Sequence, residues 1–301
     1  MFRNARMYRL ESDWPDSEAA VSEELAKASF SPCGPLTERS SGWIPVDTVT
    51  EGNDLLARRV NGADLIVLRS QSRVLPAAAV NEALETRIAD FRERMQEEPG
   101  RREKRRLKAE TREELLPKAL LKSDKIRGFV DLAEQLLVVD AGQAAAAERF
   151  LRHLRLPFGE LNIRPVDYRE PIGGLLTQIF LGNGPQDFAL GRECRMQDAT
   201  DTGSTVRWND FDLSERSIRS HVADGMRLTH LAIVYDNVLS CVIDEHGVVS
   251  KLRFLGMDDA DTGADQDPLA QQDAEFVLLT STLRSMVADL KKLLGGFATA
   301  E

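Results

Sequence analysis

LPAAAVNEALETRIADFRERMQEEPGRREKRRLKAETREELLPKAL, residues 75–120, is the stretch on which the fold turns. Pro76 suits the first turn of a helix, where its missing N–H has no partner to lose. Val80, Leu84, Ile88 and Phe91 then recur at three- and four-residue steps with charges between them, which predicts an amphipathic helix facing solvent. Pro99-Gly100 breaks it, and residues 101–116 spell a second helix that turns back. An antiparallel helical hairpin is therefore predicted, projecting from whatever body the flanking segments build.

Those flanks read as strands and short helices. Upstream lie a strand at 6–10, a helix at 17–28, a turn at Phe30-Ser31-Pro32-Cys33-Gly34, and strands at 42–46 and 64–69. The continuous apolar run Leu65-Ile66-Val67-Leu68 has the length of a buried strand. Downstream, 129–139 alternates and ends fully apolar at Leu136-Leu137-Val138-Val139, followed by a helix at 141–154, so the first unit is partly repeated after the hairpin. Pro- and Gly-punctuated residues 171–184 read as a linker with one short helix. A strand at 205–213 and a helix at 214–222 come next. Strands at 228–235, 238–243 and 248–254, separated by Asp236-Asn237 and Glu245-His246-Gly247, predict a β-meander. Residues 258–267 form an acidic loop, and a helix at 276–294 ends at Gly295-Gly296. The fold class is α+β with mixed or antiparallel sheets. Residues 1–75 and 129–170 make a central domain, 76–128 a helical tip, and 171–301 a base with the meander and the last helix.

Charge is distributed unevenly. The 301 residues carry a formal net charge of -10, which as a bulk number argues against phosphate binding. From Arg101 to Arg127, however, eleven basic residues face five acidic ones, a local +6 that leaves -16 for the rest. Such polarity steers an anionic polymer to one surface and away from others. On a helix, Arg101, Lys104, Arg105 and Lys108 share one face, with Arg102 and Arg106 flanking it. That face can contact phosphates without reading bases, and it reads also as a solvated surface with internal Glu–Lys pairs.

Other chemistries find little support. Cys33, Cys194 and Cys241 are far apart and read as buried free thiols. His153, His221, His230 and His246 lack metal-ligand spacing, so no metal is expected. The acidic run Asp258, Asp259, Asp261, Asp265, Asp267 lacks the EF-hand arrangement, and Gly173-Gly174 with Gly182 and Gly184 forms no phosphate loop. No cofactor and no catalytic dyad are expected. No apolar run reaches the roughly 18 to 20 residues of a membrane span, and the start is not that of a signal peptide, so a cytoplasmic protein is expected.

Collinear motifs then point to a family. Met7-Tyr8-Arg9-Leu10, Phe30-Ser31-Pro32-Cys33-Gly34, Gly42-Trp43-Ile44-Pro45, Val74-Leu75-Pro76, Leu115-Leu116-Pro117-Lys118-Ala119-Leu120, Val138-Val139-Asp140, Asp212-Leu213-Ser214, His221-Val222 with Gly225, Leu231, Lys251-Leu252-Arg253-Phe254 and Leu294-Gly295-Gly296 together resemble the recombination-associated RdgC family over nearly the whole chain. The resemblance implies a non-enzymatic, ring-shaped homodimer with a basic hole that encircles duplex DNA. It also implies nonspecific binding of double-stranded DNA, with single-stranded DNA as a further partner, nucleoid association, and modulation, by restraint, of RecA-dependent recombination and replication-fork repair. DNA contacts carried over or derived are Arg101, Arg102, Lys104, Arg105, Arg106, Lys108, Arg112, Lys118, Lys122, Arg207 and Asn209, with Pro117 and Leu120 at the dimer gate.

Two departures stand out. The family's tip motif ends in an aromatic where this chain has Leu120, and the basic pair and Gln usual ahead of Asp-Leu-Ser are reduced to Arg207 before Trp208-Asn209-Asp210-Phe211. A divergent member serving as a protein-interaction or regulatory module, with weak or no DNA binding, is the alternative these losses motivate.

Overall fold

The computed structural model describes residues 2–46, 54–256 and 268–298, and the predicted acidic loop at 258–267 lies outside them. The chain begins with β1 (Asn4–Leu10) and α1 (Glu18–Ala26), the latter capped by Ser17, whose hydroxyl accepts from the Ala20 N–H. β2 (Arg39–Ile44), β3 (Ala57–Val60) and β4 (Ala63–Val74) follow. Next come α2 (Ala77–Met95), α3 (Arg101–Leu115) and a turn of 3-10 helix at Leu116–Lys118. β5 (Leu120–Asp131), β6 (Leu136–Val139), α4 (Ala144–Phe158) and β7 (Ile163–Pro165) complete the first half. The second half contains α5 (Ile172–Leu181), β8 (Phe188–Asp198), β9 (Thr205–Trp208), α6 (Arg216–Ala223), β10 (Met226–Tyr235), β11 (Leu239–Asp244), β12 (Val249–Phe254) and α7 (Pro268–Leu293).

The α+β class holds, but the strands join one open sheet and not several. Its order is β2-β4-β5-β6-β1-β12-β11-β10-β8-β9, with β3 also on β4 and β7 also on β1, every pair antiparallel. β1 joins the two halves, pairing β6 along Arg6 to Arg9 and β12 at Asn4 and Ala5. One face of the first-half strands buries Tyr8, Trp43, Ile66, Leu68 and Leu137 with Val21 and Leu25 of α1 and Phe150 and Leu154 of α4. A second core joins Phe2, Phe129 and the inner faces of β8 and β10–β12 to α5, α6 and α7. Close approach explains two glycines: a Cβ on Gly42 would lie 2.5 Å from the Phe30 backbone, and one on Gly128 2.4 Å from the Phe150 ring.

Several expectations are corrected. The segment 171–184 is no linker: Ile172, Leu175, Leu176, Ile179 and Phe180 form a buried stripe at helical spacing, and the glycines that suggested a break occupy its open side and its left-handed C-cap at Gly182. β5 starts at Leu120, so residues 120–128 are strand within the stretch expected to be helical tip. β3 and β8 are strands beyond those the sequence pattern predicts. In β8, irregular pairing with β10 and the approach of Gly191 to Ala232 interrupt the alternation that announces a strand. α7 starts at Pro268, ahead of the expected 276. The meander is as expected, and its Asp236-Asn237 turn has both residues at positive φ, as a type I′ turn requires.

Candidate nucleic-acid interface

The helical pair is inserted between two adjacent strands. β4 and β5 pair along their whole length and finish at Val74 opposite Leu120, so α2 and α3 leave and return at one place and pack against each other. Arg73 fastens that base. Its guanidinium donates to the carbonyl oxygens of Gly34 (3.0 Å), Leu116, Pro117 and Ala119 (each 3.2 Å), tying the turn that follows α3 to the loop ahead of β2. Farther out, Arg87 of α2 pairs with Glu114 of α3.

α3 buries Leu107 and Thr111, and the Thr111 hydroxyl donates to the Leu107 carbonyl at 2.7 Å. Arg101, Arg105, Lys108 and Arg112 succeed one another on its exposed side at steps of four, three and four. Arg101, Arg102, Lys104, Arg105 and Lys108 are exposed and make no ion pair among the described residues. Arg106 and Arg112 differ. Arg106 pairs with Glu103 and, at 3.6 Å, with Glu110, the internal pairing anticipated from composition, whereas Arg112 reaches Glu38, outside the helix, at 2.9 Å.

The remaining sequence-derived positions are scattered. Lys118 and Pro117 are exposed at the 3-10 turn. Lys122 stands on β5, 3.7 Å from Asp124. Leu120 is 80% exposed beside Val74 at 44%, an apolar pair at the hairpin base. Arg207 and Asn209 lie at β9, the opposite end of the sheet; seven strand spacings separate β9 from β5, roughly 34 Å at about 4.8 Å each. There Arg207 donates to Glu193 at 2.7 Å, and Lys251 shares the same carboxylate. Burial alone would raise the Glu193 carboxyl, but hydrogen bonds from Lys251 and Arg207 outweigh it and hold it below the usual carboxylate range. Asp210 engages Arg192 at 2.7 Å, and Trp208 packs on His221.

Sequence reasoning passed over the sheet itself. Arg69, Lys125 and Arg127 share one face of β4 and β5, since Arg69 is directly opposite Lys125 and Val67 opposite Arg127. Lys125 and Arg127 were visible as part of the basic stretch, but only strand register shows that they face the same way as Arg69.

Cys33, Cys194 and Cys241 are buried and unbridged, and burial pushes the thiols of Cys194 and Cys241 up to about 12, which keeps them protonated and inert. Among the described residues no helix is long and apolar enough to cross a membrane.

Comparison with known proteins bears on what this surface meets. The family described as "Putative exonuclease, RdgC" matches residues 1–297. The "Recombination-associated protein RdgC" of Halorhodospira halophila is 31% identical over 299 residues, covering 98% of both chains. Its namesakes from Sodalis glossinidius, 30% identical over 303 residues, and Yersinia enterocolitica, 29% identical over 300, each cover 99% of this chain and 98% of their own. With the collinear motifs, the full-length match and the shared name in view, the chain belongs to the RdgC family.

Proposed function

We propose that this protein binds double-stranded DNA without sequence preference, as a ring-shaped homodimer, and restrains RecA-dependent recombination by occupying the duplex. One observation carries the reading: five exposed cations on α3, Arg101, Arg102, Lys104, Arg105 and Lys108, lack carboxylate partners among the described residues of a chain whose net charge is -10. An acidic protein that concentrates unneutralised positive charge on one helix is built to meet a polyanion there. The relatives' name, recombination-associated, agrees with that partner. In this reading residues 76–128 are the tip, 1–75 and 129–170 the centre and 171–301 the base. Leu120 and Pro117 meet their counterparts in the second subunit, and the dimer sits in the cytoplasm on the nucleoid. Single strands bind through the same cations. The protein acts by occupancy and not as an enzyme.

Electrophoretic retention of linear and circular duplex across a salt series tests this. Binding should weaken with a log-log slope of about -0.9 per phosphate contacted, and R101E/R105E/K108E should abolish it while leaving thermal unfolding unchanged. Retention that survives the triple change overturns the assignment. Linear duplex incubated with Mg2+ should stay intact; shortening of its ends would overturn the non-enzymatic part. The exposed Leu120 and the engagement of Arg207 by Glu193 favour a second reading, a protein-interaction module of the same fold, which failure to retain duplex at about 50 mM salt would select.

A further inference from the structure

We propose that Arg69, Lys125 and Arg127, on the β4–β5 face away from α1 and α4, form a second phosphate-binding site, on which the nucleic-acid backbone rests. The inference rests on the DNA reading above and extends it from α3 to the sheet.

Three observations converge. Arg69 and Lys125 are directly opposed across the ladder, with Arg127 next along the strand, and none of the three has an ion pair among the described residues. Like charges facing each other on a sheet are mutually destabilising, and an anion bound between them would relieve that. Arg69 is held in place without being neutralised. Its guanidinium stacks over the Phe30 ring at 4.7 Å and donates to the Ser123 hydroxyl at 3.4 Å, and its buried Nε has no hydrogen-bond partner among the described residues. Arg69 thus adds its charge to the potential at Lys125 and Arg127.

Beside Lys125 and Arg127 is a cavity of about 450 Å³, lined by these two, by Leu65 and Val67 of β4, and by Gln271, Gln272 and Glu275 of α7. A volume in the small-ligand range with apolar side chains, two cations, two amides and one carboxylate to accept from a hydroxyl suits a sugar-phosphate unit. Lys125 and Arg127 are two residues apart on one strand, about 6.8 Å at about 3.4 Å per residue. That step is close to the separation of successive phosphates on one nucleic-acid strand, which favours a polymer backbone over an isolated ion.

The test uses the full-length K125Q/R127Q variant, the conservative K125R/R127K variant, and two probes, duplex DNA and inorganic pyrophosphate. For duplex, the Gln variant should lower the magnitude of the log-log salt slope by about 0.9 for each contact removed, and the conservative variant should restore it. For pyrophosphate, the wild-type unfolding temperature should rise with concentration and that of the Gln variant should not. Duplex binding with an unchanged slope in the Gln variant overturns the site. If wild type ignores duplex but pyrophosphate stabilises it through Lys125 and Arg127, the DNA reading fails and the site stands for a free phosphate compound. Indifference to both probes overturns both.

Discussion

Arg73 shows how much one side chain organises. Its guanidinium reaches four carbonyl oxygens, three of them on the segment that ends α3, and so determines how the helical pair leaves the sheet. Hydrogen bonds to a charged donor contribute about 1.5 to 3 kcal/mol, so Arg73→Ala should cost about that much in urea unfolding. Arg73→Lys should recover little, because a single ammonium cannot span the same fork of acceptors. Glu193 acts on charge in place of geometry. Its carboxyl is depressed by Lys251 and Arg207 despite partial burial, so its contribution to stability is present above the pKa it has in the unfolded chain and is lost as pH falls through its lower native value. Stability curves for wild type and Glu193→Gln should therefore differ at neutral pH and converge in acid. The same substitution releases Arg207 and Lys251, and should steepen the salt dependence of duplex binding if β9 faces the DNA.

α2 and α3 form an insertion that the sheet does not need. Val74 and Leu120 already face each other as the last pair of the β4–β5 ladder, the geometry of an ordinary hairpin end. Replacing residues 75–119 with Asn-Gly, the two-residue turn suited to an antiparallel pair, should leave a folded protein with a cooperative thermal transition, less helical circular dichroism and much weaker retention of duplex. Loss of folding would mean that the helices stabilise the strands and do more than carry charge. β5 serves both sides of this division, since its outer half supports the hairpin and its inner half places Phe129 in the core.

At the scale of the molecule, continuity comes from a short junction. β1 meets β12 at Asn4 and Ala5, yet the core beneath it joins residues from the first strand to the last helix. Phe129 is its centre: its ring meets Phe2 edge-on at 5.6 Å and Phe276 at 5.5 Å. Phe129→Ala should cost about 3 to 5 kcal/mol, and calorimetry should show a single transition moved to lower temperature. A second transition appearing in wild type would show that the halves unfold separately.

The sequence by itself determined the local elements and the chemistry they carry. Pro76, Pro99-Gly100 and three-to-four spacing announce two helices, alternation and Asp236-Asn237 announce the meander, and clustered Arg and Lys announce a basic helix, because these signals arise from backbone preference and from charge close along the chain. The ordered motifs gave the family for the same reason, being short and local. Only the tertiary structure decided that the strands make one sheet, that 171–184 is core and not linker, and that Arg69, far from Lys125 and Arg127 in sequence, shares their face. Those facts depend on which strands pair and in what register, and a shift of one residue would turn every side chain of β5 to the opposite face without changing a letter of the sequence.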